Sequence, residues 1–95
     1  MNASFEWDDA KAEVNFRKHG VDFETATEVF SDAFAVEDVD ASMDYGEPRF
    51  RIIGRAGGVL AVVIYTERGE RIRIISARQA TRREYDRYYR ENAQE

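Results

Sequence analysis

Apolar and polar residues are most regularly ordered in the second half of the chain. Arg49 to Arg55 (RFRIIGR) alternates strictly for four residues, Val59 to Thr66 (VLAVVIYT) is apolar almost throughout, and Arg71 to Ser76 (RIRIIS) alternates again. A period of two marks a strand with one buried face, and a continuous apolar run marks a central strand covered on both faces. Gly57-Gly58 supplies the positive φ of a tight hairpin turn between the first two segments. Arg68-Gly69 is the corresponding turn between the second and third.

The first half reads as one strand, two helices and another strand. Phe5-Glu6-Trp7 alternates as a short strand or extended lead-in. Asp8 or Asp9 is an N-cap for a helix that runs through Lys18. Arg17-Lys18-His19-Gly20 then stops it, because cations meet the negative helix end and glycine takes the left-handed cap. A second helix starts at Asp22, carries Phe23, Ala26, Val29 and Phe30 on one stripe, and ends at Ser31-Asp32. Phe34 to Val39 is a short strand. Asp40 to Pro48 is an acidic loop holding the sole proline. Near the end, Thr81-Arg82-Arg83-Glu84 fits a capping box, which predicts a helix from Arg82 to about Glu91. The order β-α-α-β-β-β-β-α defines an α+β domain with an antiparallel meander. At 95 residues the chain is expected to be one domain, 1–95.

If both turns contain two residues, the register follows. Ala56 pairs with Val59, so Arg51 lies opposite Ile64 and Arg49 opposite Thr66. Glu67 pairs with Glu70, so Thr66 lies opposite Arg71 and Ile64 opposite Arg73. Directly paired residues share a face. One face then holds Phe50, Ile52, Ala61, Val63, Tyr65, Ile72, Ile74 and Ser76, and is the expected core. The other holds Arg49, Arg51, Arg55, Arg71 and Arg73 around Leu60, Val62, Ile64 and Ile75.

Charge sharpens this picture. The net charge of −5 hides an asymmetry: residues 49–90 carry eleven arginines against four acids, and residues 1–48 carry three bases against thirteen acids. Guanidinium matches phosphate bidentately and stays charged when partly desolvated. Arg49, Arg51, Arg71 and Arg73 flank one end of the central strand, and like charges so close need an anion among them. Either the chain's own carboxylates or a ligand phosphate supplies it.

Other chemistry is excluded by composition. Without cysteine there is no disulfide framework or thiolate zinc site, and a single histidine, His19, argues against a histidine metal site. No metal or cofactor is expected. The longest apolar run is too short to span a bilayer, and the opening residues lack signal-peptide features. A cytoplasmic protein without a membrane partner is the expectation.

The residues also resemble a known family. Phe5-x-Trp7-Asp8-x-x-Lys11-x-x-x-Asn15-x-x-Lys18-His19-Gly20-Val21-x-Phe23-x-x-Ala26 is similar to the opening signature of the BrnT toxins of bacterial type II toxin–antitoxin systems. So are Tyr45-Gly46-Glu47-x-Arg49, Ile53-Gly54-Arg55 and Tyr65-Thr66-x-Arg68. The most specific block is Ile72-Arg73-Ile74-Ile75-Ser76-Ala77-Arg78-x-Ala80-Thr81-Arg82-x-Glu84. The resemblance implies a RelE-like fold, with a small curved antiparallel sheet, two N-terminal helices and one C-terminal helix. It implies a metal-independent endoribonuclease, an RNA hydrolase that arrests bacterial growth. A BrnA-like antitoxin would neutralise it and reach operator DNA on the complex's behalf.

RNA is cut without metal when the 2′-hydroxyl attacks the adjacent phosphorus. A base, cations on the phosphorane oxygens and an acid at the leaving oxygen assist. Arg49, Arg55 and Arg78 are the candidate catalytic cations. Each sits in a family-like block and at or beyond a sheet edge. Arg51, Arg71, Arg73 and Arg82 are candidates for RNA binding. His19 and Glu84 are the proton-transfer candidates, although a helix-end cation and a capping-box residue are the simpler explanations of them. Tyr65 falls on the core face. Tyr85, Tyr88 and Tyr89 have the spacing to dock the last helix. The alternative to a nuclease is a non-catalytic, degenerate binding module whose arginine face receives an acidic protein partner.

Overall fold

The computed structural model describes residues 4–40 and 46–93. Five strands form one sheet in the order β1-β5-β4-β3-β2: β1 (Ser4–Glu6), β2 (Val36–Val39), β3 (Phe50–Ala56), β4 (Val59–Arg68) and β5 (Arg71–Gln79). The helices are α1 (Asp9–His19), α2 (Phe23–Ala26), which continues as a 3₁₀ segment over Thr27–Ser31, and α3 (Arg82–Asn92). The element order is the expected one. The sheet is mixed, because β1 runs parallel to β5 while every other pairing is antiparallel. Among the described residues no helix is long and apolar enough to cross a membrane. Tyr45 and the centre of the acidic loop lie outside the described residues.

The helix ends are set by the residues that sequence pattern singled out. The Asp8 carboxylate accepts from the Lys11 N–H at 3.1 Å, and Gly20 (φ 75°) donates to the Phe16 carbonyl at 2.8 Å. Asp22 caps α2 by accepting from the Thr25 N–H. Thr81 and Glu84 form the reciprocal capping box of α3.

One sheet face packs on α1, α2 and the 3₁₀ segment. Its core joins Phe23, Ala26 and Val29 to Ile52, Ala61, Val63, Tyr65, Ile74 and Ala77. Trp7 packs edge-on against Phe23 at the border of this core. Gly54 lets the 3₁₀ segment approach β3 closely: a Cβ there would lie 3.1 Å from the Val29 Cβ and 3.2 Å from its carbonyl oxygen. The opposite face carries a smaller cluster of Val36, Ile53, Leu60, Val62 and Tyr88 beneath α3. Burial on both faces is why Val59 to Thr66 shows no alternation.

The β3–β4 register is the expected one, with Ala56 opposite Val59 and Arg51 opposite Ile64. The β4–β5 register differs. Arg68 pairs with Arg71 and Thr66 with Arg73, so Gly69-Glu70 forms the turn instead of Arg68-Gly69. Gly69 (φ 62°) takes the first central position, and Glu70 has no positive φ. A glycine first is what a type II′ turn demands. The ladder then shifts, with Ile64 opposite Ser76 and Tyr65 opposite Ile74, which leaves Ile75 as an extra residue on β5. Strict alternation would aim Ser76 into the core. The bulge instead buries Ile74 and Ala77 and turns Ser76 to the open face.

Past β1, the outer edge of β5 has a side chain as its partner. Buried Asn15 of α1 donates from Nδ2 to the Ala77 carbonyl (2.8 Å) and the Val21 carbonyl (3.1 Å), and its Oδ1 accepts from the Ala77 N–H (3.2 Å). One amide thus fixes α1 on the sheet edge. Asn15→Ala leaves these backbone groups unsatisfied and is expected to cost about 2–3 kcal/mol in urea unfolding; a loss below about 0.5 kcal/mol would mean water replaces the amide.

Candidate cation cavity and arginine face

Helix α3 crosses the second sheet face as a ridge. Tyr88 is its anchor, 3% exposed, with its hydroxyl donating to Asp32 Oδ2 at 2.7 Å. Glu84 meets Arg78 of β5 on one flank, and Tyr89 meets Arg55 of β3 on the other. The face is thereby split. Ile64, Thr66, Ser76, Arg51 and Arg73 lie beyond one flank, while Val59, Leu60 and Arg55 lie beyond the other.

The sequence places Arg49, Arg51, Arg71 and Arg73 in one row around β4. The structure alters that row in two ways. The register moves Arg71 opposite Arg68 and puts Arg73 opposite Thr66. The protein's own carboxylates also neutralise most of the guanidiniums. Arg51 pairs with Asp38 at 3.1 Å, and Asp38 also receives Arg87 at 2.6 Å. Glu6 receives Arg73 at 3.0 Å and Arg71 at 3.5 Å. Arg68 meets Glu47, and exposed Arg82 meets Asp86 one turn along α3. Tethered carboxylates have a high effective concentration, so intramolecular pairing outcompetes dilute anions. At Asp38, burial alone would raise the pKa. The hydrogen bonds from Arg51 and Arg87 outweigh it and hold the carboxyl below its usual range.

Cations still gather beside α1. Lys11, Arg49, Arg68 and Arg73 line one cavity of about 140 Å³ with Asp8, Glu47, Ile74 and Ile75. Asp8 is engaged in capping α1 and Glu47 in pairing with Arg68. A shallow depression of about 380 Å³ adjoins it, sharing Lys11 and Ile75, and is lined further by Val14, Lys18, His19 and Ser76. His19 and Arg49 therefore occupy neighbouring hollows. Lys11, Lys18, Arg68 and Ser76 join them without having been singled out as site residues. Lys11, Val14 and Lys18 share one helix stripe at spacings of three and four, a legible signal. Ser76 arrives only through the bulge.

The remaining candidates lie elsewhere. Arg55 lies near the far end of β3, six residues beyond Arg49, which precedes the strand; at the usual strand rise that is about 20 Å. Arg78 lies within β5 opposite Val62, not beyond the sheet. It grips Glu84 bidentately at 2.7 and 2.9 Å. Hydrogen bonds from Arg78 pull the Glu84 carboxyl to about 2 against the opposing effect of burial, with the Thr81 N–H helping. So acidic a carboxyl is a poor proton acceptor near neutrality and an effective anchor for Arg78. Tyr65 stays on the core side, where its hydroxyl donates to Glu37. Among the described residues, no three His, Asp or Glu side chains gather where they could hold a metal ion.

Together the fold and the cation cavity define a small α+β protein with a cluster of basic side chains beside α1. The family described as the ribonuclease toxin BrnT of type II toxin–antitoxin systems matches residues 7–84. The chain belongs to this family and is a ribonuclease toxin of the type II class. No curated protein matched it.

The Arg78–Glu84 pair has a pH signature. Folding lowers the Glu84 pKa from 4.5 to about 2, so its stabilisation is complete above about pH 4.5 and is lost as pH falls toward 2. Glu84→Gln should lower stability at pH 7 by about 1–3 kcal/mol and flatten that part of the acid limb. A variant whose acid unfolding parallels the parent would show that the pair contributes nothing.

Proposed function

We propose that the protein cleaves RNA without a metal ion, holding the scissile phosphate in the cavity lined by Lys11, Arg49, Arg68 and Arg73. The observation that carries this reading is the grouping of four cations against two carboxylates, Asp8 and Glu47, around one small cavity in a chain that is acidic overall. In the reaction the 2′-oxygen attacks phosphorus and the bond to the 5′-oxygen breaks. The products are a 2′,3′-cyclic phosphate and a 5′-hydroxyl. Charge builds on the phosphorane oxygens, where guanidinium donors stabilise it most. His19, in the adjoining depression and eight residues along α1 from Lys11, is the candidate to take the 2′-hydroxyl proton and return one to the leaving oxygen, provided the strand reaches from the cavity into that depression. Arg78, paired bidentately with Glu84, remains a candidate for RNA contact rather than a free cation of the cavity. Arg51, Arg71 and Arg82 are paired and remain candidates for RNA contact.

A BrnA-like antitoxin is the proposed partner. It would cover this face in the cytoplasm and link the complex to operator DNA. A second reading, a non-catalytic module for an acidic partner, draws support from the paired arginines and from the low pKa of Glu84.

Purified protein should cut single-stranded RNA in excess chelator and leave cyclic phosphate ends. Arg49→Ala should slow cutting by about 10²-fold or more with its fold intact, and His19→Ala by a similar factor. Cutting that stops in chelator, or that survives both substitutions, would contradict this mechanism. Soluble expression without growth arrest would favour the binding module.

A further inference from the structure

The flank of α3 facing away from the cation cavity carries three adjoining hollows of about 320, 410 and 400 Å³. The first two share Arg55 and Tyr89, and the last two share Ala80 and Tyr85, so they form one groove. It runs from Phe34 along α3 to Thr81 and Arg82 at the helix N-terminus. No Asp or Glu lines any of the three. In a chain with nineteen acidic residues this is a notable stretch of surface.

Its aromatic side chains are open. Tyr88 docks α3, as the spacing predicts, but Tyr85 and Tyr89 do not: they are 47% and 38% exposed, and Phe34 is 60% exposed. The two tyrosine rings lie 4.7 Å apart, and buried Tyr88 braces Tyr89 edge-on at 5.0 Å. The Arg55 guanidinium lies 5.8 Å from the Tyr89 ring centre and donates to its hydroxyl. Its side-chain hydrogen bond goes to a phenol, while Asp32 acts on its charge from a distance and Arg82, further along the groove, is shared with Asp86.

We propose that this groove is a second binding surface for single-stranded RNA, holding nucleotides outside the cleavage cavity. Bases stack on Tyr85 and Tyr89, and Arg55 and Arg82 meet the backbone. Every base has a π face, so such a platform accepts RNA of varied sequence. Arg78 and the Arg82 end of α3 mark the path by which a strand leaving the cation cavity reaches the groove. The inference rests on the reading that RNA is the substrate, and it adds where the rest of the strand lies.

The test uses the whole protein and two probes. One is a fluorescein-labelled 2′-O-methyl RNA of about a dozen nucleotides, which cannot be cut. The other is a dinucleoside monophosphate, too short to span both surfaces. Tyr85→Ala/Tyr89→Ala should weaken binding of the long probe by about tenfold or more, while cleaving the dinucleoside monophosphate at the parent rate. Tyr85→Phe, which keeps the ring, should bind like the parent, and thermal unfolding of each variant reports its fold. Unchanged affinity for the long probe overturns the proposal, as it would if the groove served a protein partner. Equal loss on both probes also overturns it, because the tyrosines would then belong to the cleavage cavity. A parent that neither binds nor cuts RNA fails the nuclease reading itself, a result distinct from either.

Discussion

The architecture turns on one carboxylate. Asp32 ends the 3₁₀ segment, accepts from the Phe34 N–H at 2.8 Å and from the Arg55 N–H at 2.9 Å, and receives the Tyr88 hydroxyl at 2.7 Å. It thus joins the N-terminal helical layer, the approach to β2, strand β3 and helix α3. Burial would raise its pKa, but these hydrogen bonds outweigh that effect and keep the group ionised. Its partner is perturbed too: burial first, then Asp32, pushes the Tyr88 hydroxyl up to about 12. A part-buried hydrogen bond to a charged group is stronger than a neutral one, and losing Asp32 leaves the buried Tyr88 hydroxyl without its acceptor. Because Tyr88 is held there, α3 lies as a ridge across the sheet, and the two faces of that ridge become separate surfaces.

Those surfaces treat positive charge differently. On one side, carboxylates from β1, β2 and the acidic loop thread among the arginines and neutralise them pairwise, leaving a small cavity where cations outnumber acids. On the other side, Arg55 leans on a tyrosine and no acid lines the groove. The acidic N-terminal half therefore has a structural role as well as a solubilising one. It allows many guanidiniums to crowd onto one sheet without mutual repulsion, and it restricts where an outside anion can bind. Exposed pairs of this kind contribute little stability each. They set the shape of the electrostatic surface more than they hold the fold.

Much of this was legible in the sequence because local rules govern it. Asp8, Gly20, Asp22 and Thr81 mark helix ends by capping chemistry, and Gly57-Gly58 fixes the β3–β4 register. The β4–β5 pairing was not legible to the same degree. Arg68-Gly69 and Gly69-Glu70 differ by one residue, and the choice falls to glycine's tolerance of positive φ at the first turn position. The bulge at Ile75 depends on which side chains the core accepts, a tertiary matter that no local pattern encodes. Of the candidate site residues, His19 and Arg49 come to adjoining hollows, while Arg55 and Arg78 are drawn toward α3. Pairing of Arg51, Arg71 and Arg73 with Asp38 and Glu6 could not be read from a chain that leaves the partner of each arginine open.

On the proposed reading, an anionic ligand enters beside α1 and the bulged part of β5, on one side of the α3 ridge. Amide chemical shifts recorded while the protein is titrated with uncleavable 2′-O-methyl RNA dinucleotide test it directly. The largest changes should fall on Lys11 and its helical neighbours, on Arg49 and on Arg73 to Ser76. Changes concentrated on the β2 edge, or scattered weakly over every exposed arginine, would contradict it.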